Sequence, residues 1–559
     1  MCVDYSREKL KWNGWGWLEQ DFDLHGREEG LWEFLQAQLG IDDLPDTPAV
    51  PLEEMPLPEN RLSESQIEDL RGLLSADRVH VDRYERLFHA FGKSYHDLIR
   101  LRRGEIDEVP DAVVYPQSAD ELVALTQFAT THHLALVPYG GGSSVVGGVE
   151  ALAGRLAGVI TVDLSRMNRV LSLDEESLTA TAEAGIYGPQ LEEHLQKHGY
   201  TLGHYPQSFQ FSTLGGWIAA RGAGQQSNRY GAATKFFAGA TVVTPSGILH
   251  SLATPNSAAG PDLRHLIAGS EGVFGFITEA TVRLRPLPTA RDYRGFLFSE
   301  FKTGADVVRE IIQEHVDVAM LRLSDAGETW FLSQFKSIGK PASWASKATS
   351  AALDLVGVGE NPCLMLVGLE GTTTSTSASR VAIARIAMGA GGIPIGAKPG
   401  KGWYGTRFDM PYLRDALLDR GVGVDTLETA TNWSNLHHLH QTVRKQIATS
   451  IRRHTHVGTG EPIVMAHISH SYPDGASLYF TFIFPVALEK PVAQWKAIKR
   501  EVSDSILENG GTISHHHGVG TDHRDWMEGE KGELGVAMLK AVRDSVDPHG
   551  LMNPGKLLP

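Results

Sequence analysis

The 559 residues carry a formal charge of −16, with 42% hydrophobic and 21% charged side chains, a balance that permits a large buried core. The acidic excess argues against a nucleic-acid partner, because neutralising phosphates takes Lys and Arg; it leaves room for a local basic pocket facing an anionic substrate. Cys2 and Cys363 are the two cysteines, too few for a disulfide framework or a cysteine-built metal site, and they predict a reducing compartment.

Residues 1–10 lack the apolar run of a signal peptide, and no stretch approaches the ~20 apolar residues of a bilayer span, so a cytoplasmic location is expected. Residues 1–108 read as a helical segment in which residues 12–17, with Trp12, Trp15 and Trp17, form a turn-rich packing anchor. Ser65 and Glu68 have capping-box spacing and predict a helix over 63–74. From Val109 the texture becomes α/β: apolar runs at 113–114, 134–137, 159–162, 178–181, 240–243 and 276–284 alternate with helical stretches such as 119–130. Pro286 and Pro288 end that pattern, which places a domain at 109–288.

A second α/β texture covers 289–505. Helices are expected at 306–315 and 379–388, strands at 363–367 and 478–485, and a polar loop at 372–377. Residues 338–358, with Trp344, Leu353 and Leu355, read as an amphipathic element for peripheral contact with a membrane. Residues 506–559 form a turn-rich segment returning to the first domain.

Three loops in the first domain are rich in glycine and hydroxyls. Pro138, Tyr139, Gly140, Gly141, Gly142, Ser143 and Ser144 directly follow an apolar run; successive glycines let backbone N–H groups converge on an anion such as a pyrophosphate. The loop is neither a Walker loop nor a G-x-G-x-x-G fingerprint. Ser212, Thr213, Gly215 and Gly216, then Ala220, Arg221, Gly222 and Ala223, form the second. Glu271, Gly272, Val273, Phe274, Gly275, Phe276 and Ile277 form the third.

This order of loops resembles the FAD-binding domain of the vanillyl-alcohol-oxidase flavoproteins. The resemblance implies an α+β, two-domain protein with a PCMH-type FAD-binding domain and an α/β cap. It also implies that these loops, with Gln207 and Ser208, wrap the cofactor. Some of these flavoproteins attach FAD through a His in the glycine loop; Ser143 follows the glycines here, so non-covalent FAD is expected.

Within that superfamily the chain is similar to the alkyldihydroxyacetonephosphate synthases, the flavoenzymes of ether-lipid synthesis. The likeness runs through residues 11–16, 94–98, 103–104, 110–111, 203–204, 211–217 and 514–520. It implies active-site roles for His515, His516, His517 and His204, for Tyr479 as acid/base, and for Arg414 at the anionic end of the substrate, where a guanidinium fork suits phosphate. Arg322, between apolar neighbours, is expected to be buried and paired. The implied reaction exchanges the acyl group of acyl-dihydroxyacetone phosphate for a fatty alcohol with no net redox change, the flavin N5 acting as an electrophilic trap. A homodimer is expected, and no metal.

Two departures keep an alternative open. His467 stands where the synthases carry Arg. Asn553, Pro554, Gly555 and Lys556 resemble instead the flavin-linked 2-hydroxy-acid dehydrogenases of the D-lactate and glycolate type, in which a His near position 467 helps hold a divalent metal. Their Asp-Gly-Asn segment is absent, since Ile468, Ser469 and His470 follow.

Overall fold

The computed structural model describes residues 5–338 and 361–559. Most of the membrane-contact element expected at 338–358 lies outside them.

Two sheets carry the glycine loops. In the smaller, Ala112–Val114, Gly158–Asp163 and Leu134–Tyr139 run parallel, and Val79–His80 pairs antiparallel at the edge. Leu134, Ala135, Leu136 and Val137 are fully buried, as expected of a parallel strand covered on both faces. The glycine loop leaves from its end at Tyr139, level with Asp163. The second sheet is antiparallel, in the order Val170–Asp174, Thr179–Glu183, Phe276–Arg283, Phe237–Thr244, Gly247–His250. The chain's last turn closes this unit: Leu136 donates to the Leu551 carbonyl and Asn553 back to that of Leu136, each at 2.8 Å. The Asn553 amide also donates to the carbonyls of Gly148 and Glu271. The C-terminal segment that resembled the dehydrogenases is therefore a clamp across two of the three loops.

A seven-stranded sheet follows, in the order Ile393–Pro394, Ala290–Phe298, Cys363–Gly371, Met320–Ser324, Ile463–Ser471, Gly475–Pro485, Val422–Asn432. Strand side chains alternate between faces. Leu321, Leu323, Met365, Val367, Ala466, Ile468, Leu478, Phe480 and Phe482 point to one face and share a core with Val308, Ile383, Val443 and Val502 of the covering helices. The residues between them, Met320, Arg322, Leu364, Leu366, Met465, His467, Tyr479 and Thr481, point to the other face and line a cavity.

Two local expectations are corrected. The helix Glu64–Leu74 is capped by Ser63 with Gln66, not by Ser65 with Glu68. The tract read as a loop at 372–377 starts the helix Thr373–Gly389, because Thr372 and Ser375 form its capping box.

Candidate active site

A cavity of about 1110 Å³ separates the glycine loops from the open face of the seven-stranded sheet. Gly140, Gly141, Gly142, Ser143, Ser144 and Val145 form one rim. A Cβ on Gly141 would lie 1.8 Å from the Phe211 carbonyl oxygen and one on Gly140 2.3 Å from Thr213 Oγ1, so only glycine lets the first loop nest against the second. Among the described residues, the N–H groups of Gly141, Gly142, Ser143 and Val145 have no internal acceptor. A run of free donors beside a large cavity fits the pyrophosphate of FAD. The hydroxyls mostly shape the loops: Ser144 Oγ accepts from Gly148 N at 2.9 Å, and Ser212 Oγ accepts from Trp217 Nε1 at 2.7 Å.

Pro138, Tyr139, Gln207, Ser208, Ser212, Thr213, Gly215, Gly216, Ala220, Gly222, Ala223, Glu271, Gly272, Gly275 and Ile277 also line the cavity. Four residues expected with them do not. Arg221 is exposed and extends over Gly269. Val273 and Phe274 pack against Met527 and Leu557, and Phe276 joins the core beneath the parallel sheet.

Glu271 sits where this loop meets the C-terminal segment and accepts from Val519 N at 2.5 Å and Gly520 N at 2.6 Å. Burial lifts its carboxyl from an ordinary 4.5 to about 7 against the pull of these amides. A carboxyl raised on folding supports stability in acid and withdraws that support as pH climbs through its folded value. Thermal melts should therefore show the wild type losing stability relative to Glu271→Gln between pH 5 and pH 8; a constant difference would refute the assignment.

On the sheet, register places Glu428, Tyr479 and His467 in one row across three adjacent strands. His467 Nδ1 is 3.0 Å from Glu328 Oε1, and its Nε2 is 3.0 Å from Arg322 Nη1. Arg322 Nη2 donates to the same Glu328 oxygen at 2.8 Å. Burial would raise the Glu328 carboxyl, but Arg322 and His467 hold it down at about 2. His467 thus has both nitrogens engaged in an ion-paired cluster, which argues against the metal-ligand role raised by the dehydrogenase likeness. Its ring stacks on Tyr479 with centroids 5.0 Å apart, and burial pushes the Tyr479 phenol up to about 12.

The histidine triplet is held by Glu428, which no sequence signal had singled out. Its Oε1 accepts from His515 N, His516 N and His517 N at 2.9–3.0 Å and from Ser514 Oγ at 2.8 Å. Burial disfavours this charge, yet His516, His517 and His515 together outweigh it and the carboxyl lies well below its usual range. Burial pushes His515 down to about 4 and His517 to about 3, so both are neutral at pH 7. His516 and His517 line the cavity. His515 lies behind them, with Nε2 2.6 Å from Tyr472 Oη. His470, also missed, packs between His515 and His516 at 5.0 and 5.2 Å.

His204 is placed differently from expectation. It is 1% exposed, wedged between Trp217 and Phe236, and does not line the cavity; burial drives it to about 3.

Arg414 does face the cavity, from the helix Met410–Leu418. The tryptophan-rich turn of the N-terminal segment fixes that helix. Trp15 N donates to Asp415 Oδ2 at 2.9 Å, and a Cβ on Gly16, whose φ is +80°, would strike the Tyr412 ring. Among the described residues Arg414 has no hydrogen-bond or ion-pair partner, and its Nε is buried.

Sequence profiles match a FAD binding domain over residues 110–253 and the C-terminal domain of FAD linked oxidases over 287–557. Together with the fold, they define a FAD-linked flavoprotein of the two-domain vanillyl-alcohol-oxidase type. The chain is 34% identical to the alkyldihydroxyacetonephosphate synthase of Trypanosoma brucei brucei, covering 99% of this chain and 93% of the relative. It is also 34% identical to that of Dictyostelium discoideum, over 99% and 94%. A solved alkyldihydroxyacetonephosphate synthase structure, 31% identical, superposes with a TM-score of 0.83 over 99% of both chains. This chain belongs to the alkyldihydroxyacetonephosphate synthase family.

Proposed function

We propose that the protein is a FAD-dependent alkyldihydroxyacetonephosphate synthase that replaces the acyl group of acyl-dihydroxyacetone phosphate with a fatty alcohol. The observation that carries the substrate assignment is Arg414: a half-buried guanidinium, its Nε shielded and no protein partner on it, faces the cavity and calls for an anion, and the substrate's phosphate supplies one. When bound, FAD supplies an electrophilic site for carbon rather than a sink for electrons. A neutral histidine of the 515–517 loop takes the C1 proton, and the carboxylate leaves as its bond to C1 breaks. The alcohol oxygen then bonds to C1 as Tyr479 takes the alcohol's proton, and the histidine returns a proton to C1, so the sum is an exchange without net oxidation. The paired state of His467 supports this over hydroxy-acid oxidation. FAD held without a covalent bond, a homodimer and a cytoplasmic location belong to the same proposal. So does peripheral contact with a lipid surface, supported by exposed Lys398, Lys401 and Met410 beside the cavity.

Anaerobic absorbance spectra of the holoprotein test the proposal. Palmitoyl-dihydroxyacetone phosphate should bleach the flavin band, and adding hexadecanol should yield the ether ketone phosphate and restore the band. Bleaching by D-lactate with an oxo-acid product, and none by the ketone phosphate, would overturn it.

A further inference from the structure

A cradle of N–H donors binds an anion only while its peptide planes keep their N–H side inward. In a trans peptide the C=O and the next N–H point in opposite directions, so fixing one fixes the other. Glycine peptides resist reorientation least, because both signs of φ are open to them. A run of glycines therefore needs an external restraint to present donors reliably.

The structure holds one in the N-terminal segment. Arg7, 6% exposed, lies behind the glycine loop on the side away from the cavity. Its Nη2 donates to the Gly140 carbonyl at 3.0 Å and its Nη1 to Tyr187 Oη at 2.6 Å. Its Nε donates to Asp163 Oδ2 at 3.0 Å, and Nη2 contacts the same oxygen. Asp163 ends the strand beside Tyr139, and His89 Nε2 lies 2.9 Å from Oδ2. Tyr187 bridges to Thr213, whose Oγ1 meets Gly140. One planar guanidinium thus ties the first cofactor loop to the strand beneath it and to the second loop.

We propose that Arg7 is a positioning residue for FAD: by holding the Gly140 carbonyl outward, it keeps the Gly141 N–H turned into the cavity for the pyrophosphate. It touches neither substrate nor cofactor. The inference rests on the FAD assignment but not on the reaction, so its failure leaves the synthase reading standing, and loss of synthase activity alone says nothing about it.

The test is FAD affinity of the full-length apoprotein, titrated by quenching of flavin fluorescence, with apoprotein melts in parallel. Arg7→Met should weaken FAD binding about tenfold or more, the scale of a lost charge-assisted hydrogen bond. Arg7→Lys keeps the charge against Asp163 but loses the fork, and should weaken binding by less while leaving the apoprotein melt unchanged. Tyr84→Phe removes the 2.7 Å hydrogen bond from Tyr84 Oη to the Arg7 carbonyl; it loosens the segment without touching Gly140 and should bind FAD within twofold of wild type. Wild-type affinity in Arg7→Met would overturn the proposal, as would a loss in Tyr84→Phe equal to that in Arg7→Met. Should Arg7→Met fail to fold, unchanged affinity in Arg7→Lys would overturn it.

Discussion

Glu428→Gln should lower turnover about 100-fold or more, through loss of the preorganised loop that presents the imidazoles. Glu428 is 2% exposed, and its two oxygens gather the three successive amides of His515, His516 and His517 together with the Ser514 hydroxyl. Only a carboxylate offers acceptors in both directions; the glutamine amide turns an N–H₂ toward groups that are themselves donors. Stripping the charge from a buried, hydrogen-bonded group costs about 3 kcal/mol, so the melting temperature should fall as well. The two effects separate by readout. Turnover per bound flavin, measured well below the melting point, reports the loop, and denaturant unfolding reports stability. Turnover per flavin within threefold of wild type would mean that the backbone holds the histidines without Glu428.

What was legible in the sequence follows from how local the causes are. A strand followed by three glycines is a local pattern, and the loop at 140–142 sits at the end of the strand Leu134–Tyr139. The Arg322–Leu323 alternation is local too; it marked Arg322 as paired, though not its partners, but the burial it suggested is corrected, since Arg322 is half-buried and faces the cavity. Those partners, Glu328 and His467, lie 6 and 145 positions away and meet because neighbouring strands carry Ser324 and His467 in register. Glu428 stayed hidden for the same reason: one of two acids in an eleven-residue strand, it has no pattern around it, and its meaning comes from a loop 86 to 89 residues on. His204 was read from its place in a motif, whereas the fold packs it under Trp217. Asn553 looked like a mark of different chemistry until its amide proved to join two loop carbonyls.

Arg414→Ala should lower kcat/KM for acyl-dihydroxyacetone phosphate about 100-fold or more, the scale for removing one side of a desolvated charge pair. Most buried arginines are structural, and their truncation strands a partner. Arg414 differs because no described residue pairs with it. Burial lowers its pKa even with Asp415 and Asp425 nearby, and both carboxylates are bound elsewhere: Asp415 accepts from Trp15 N and Asp425 from Trp495 Nε1. The apoprotein therefore holds a half-buried guanidinium whose shielded Nε has no compensating partner. Its alanine variant should melt no lower than wild type, and inorganic phosphate, which should raise the melting temperature of the wild type by binding the folded state, should do so less in the variant. Full activity in Arg414→Ala, or a melt several degrees lower, would show that the guanidinium serves the fold and that the phosphate is held by other residues.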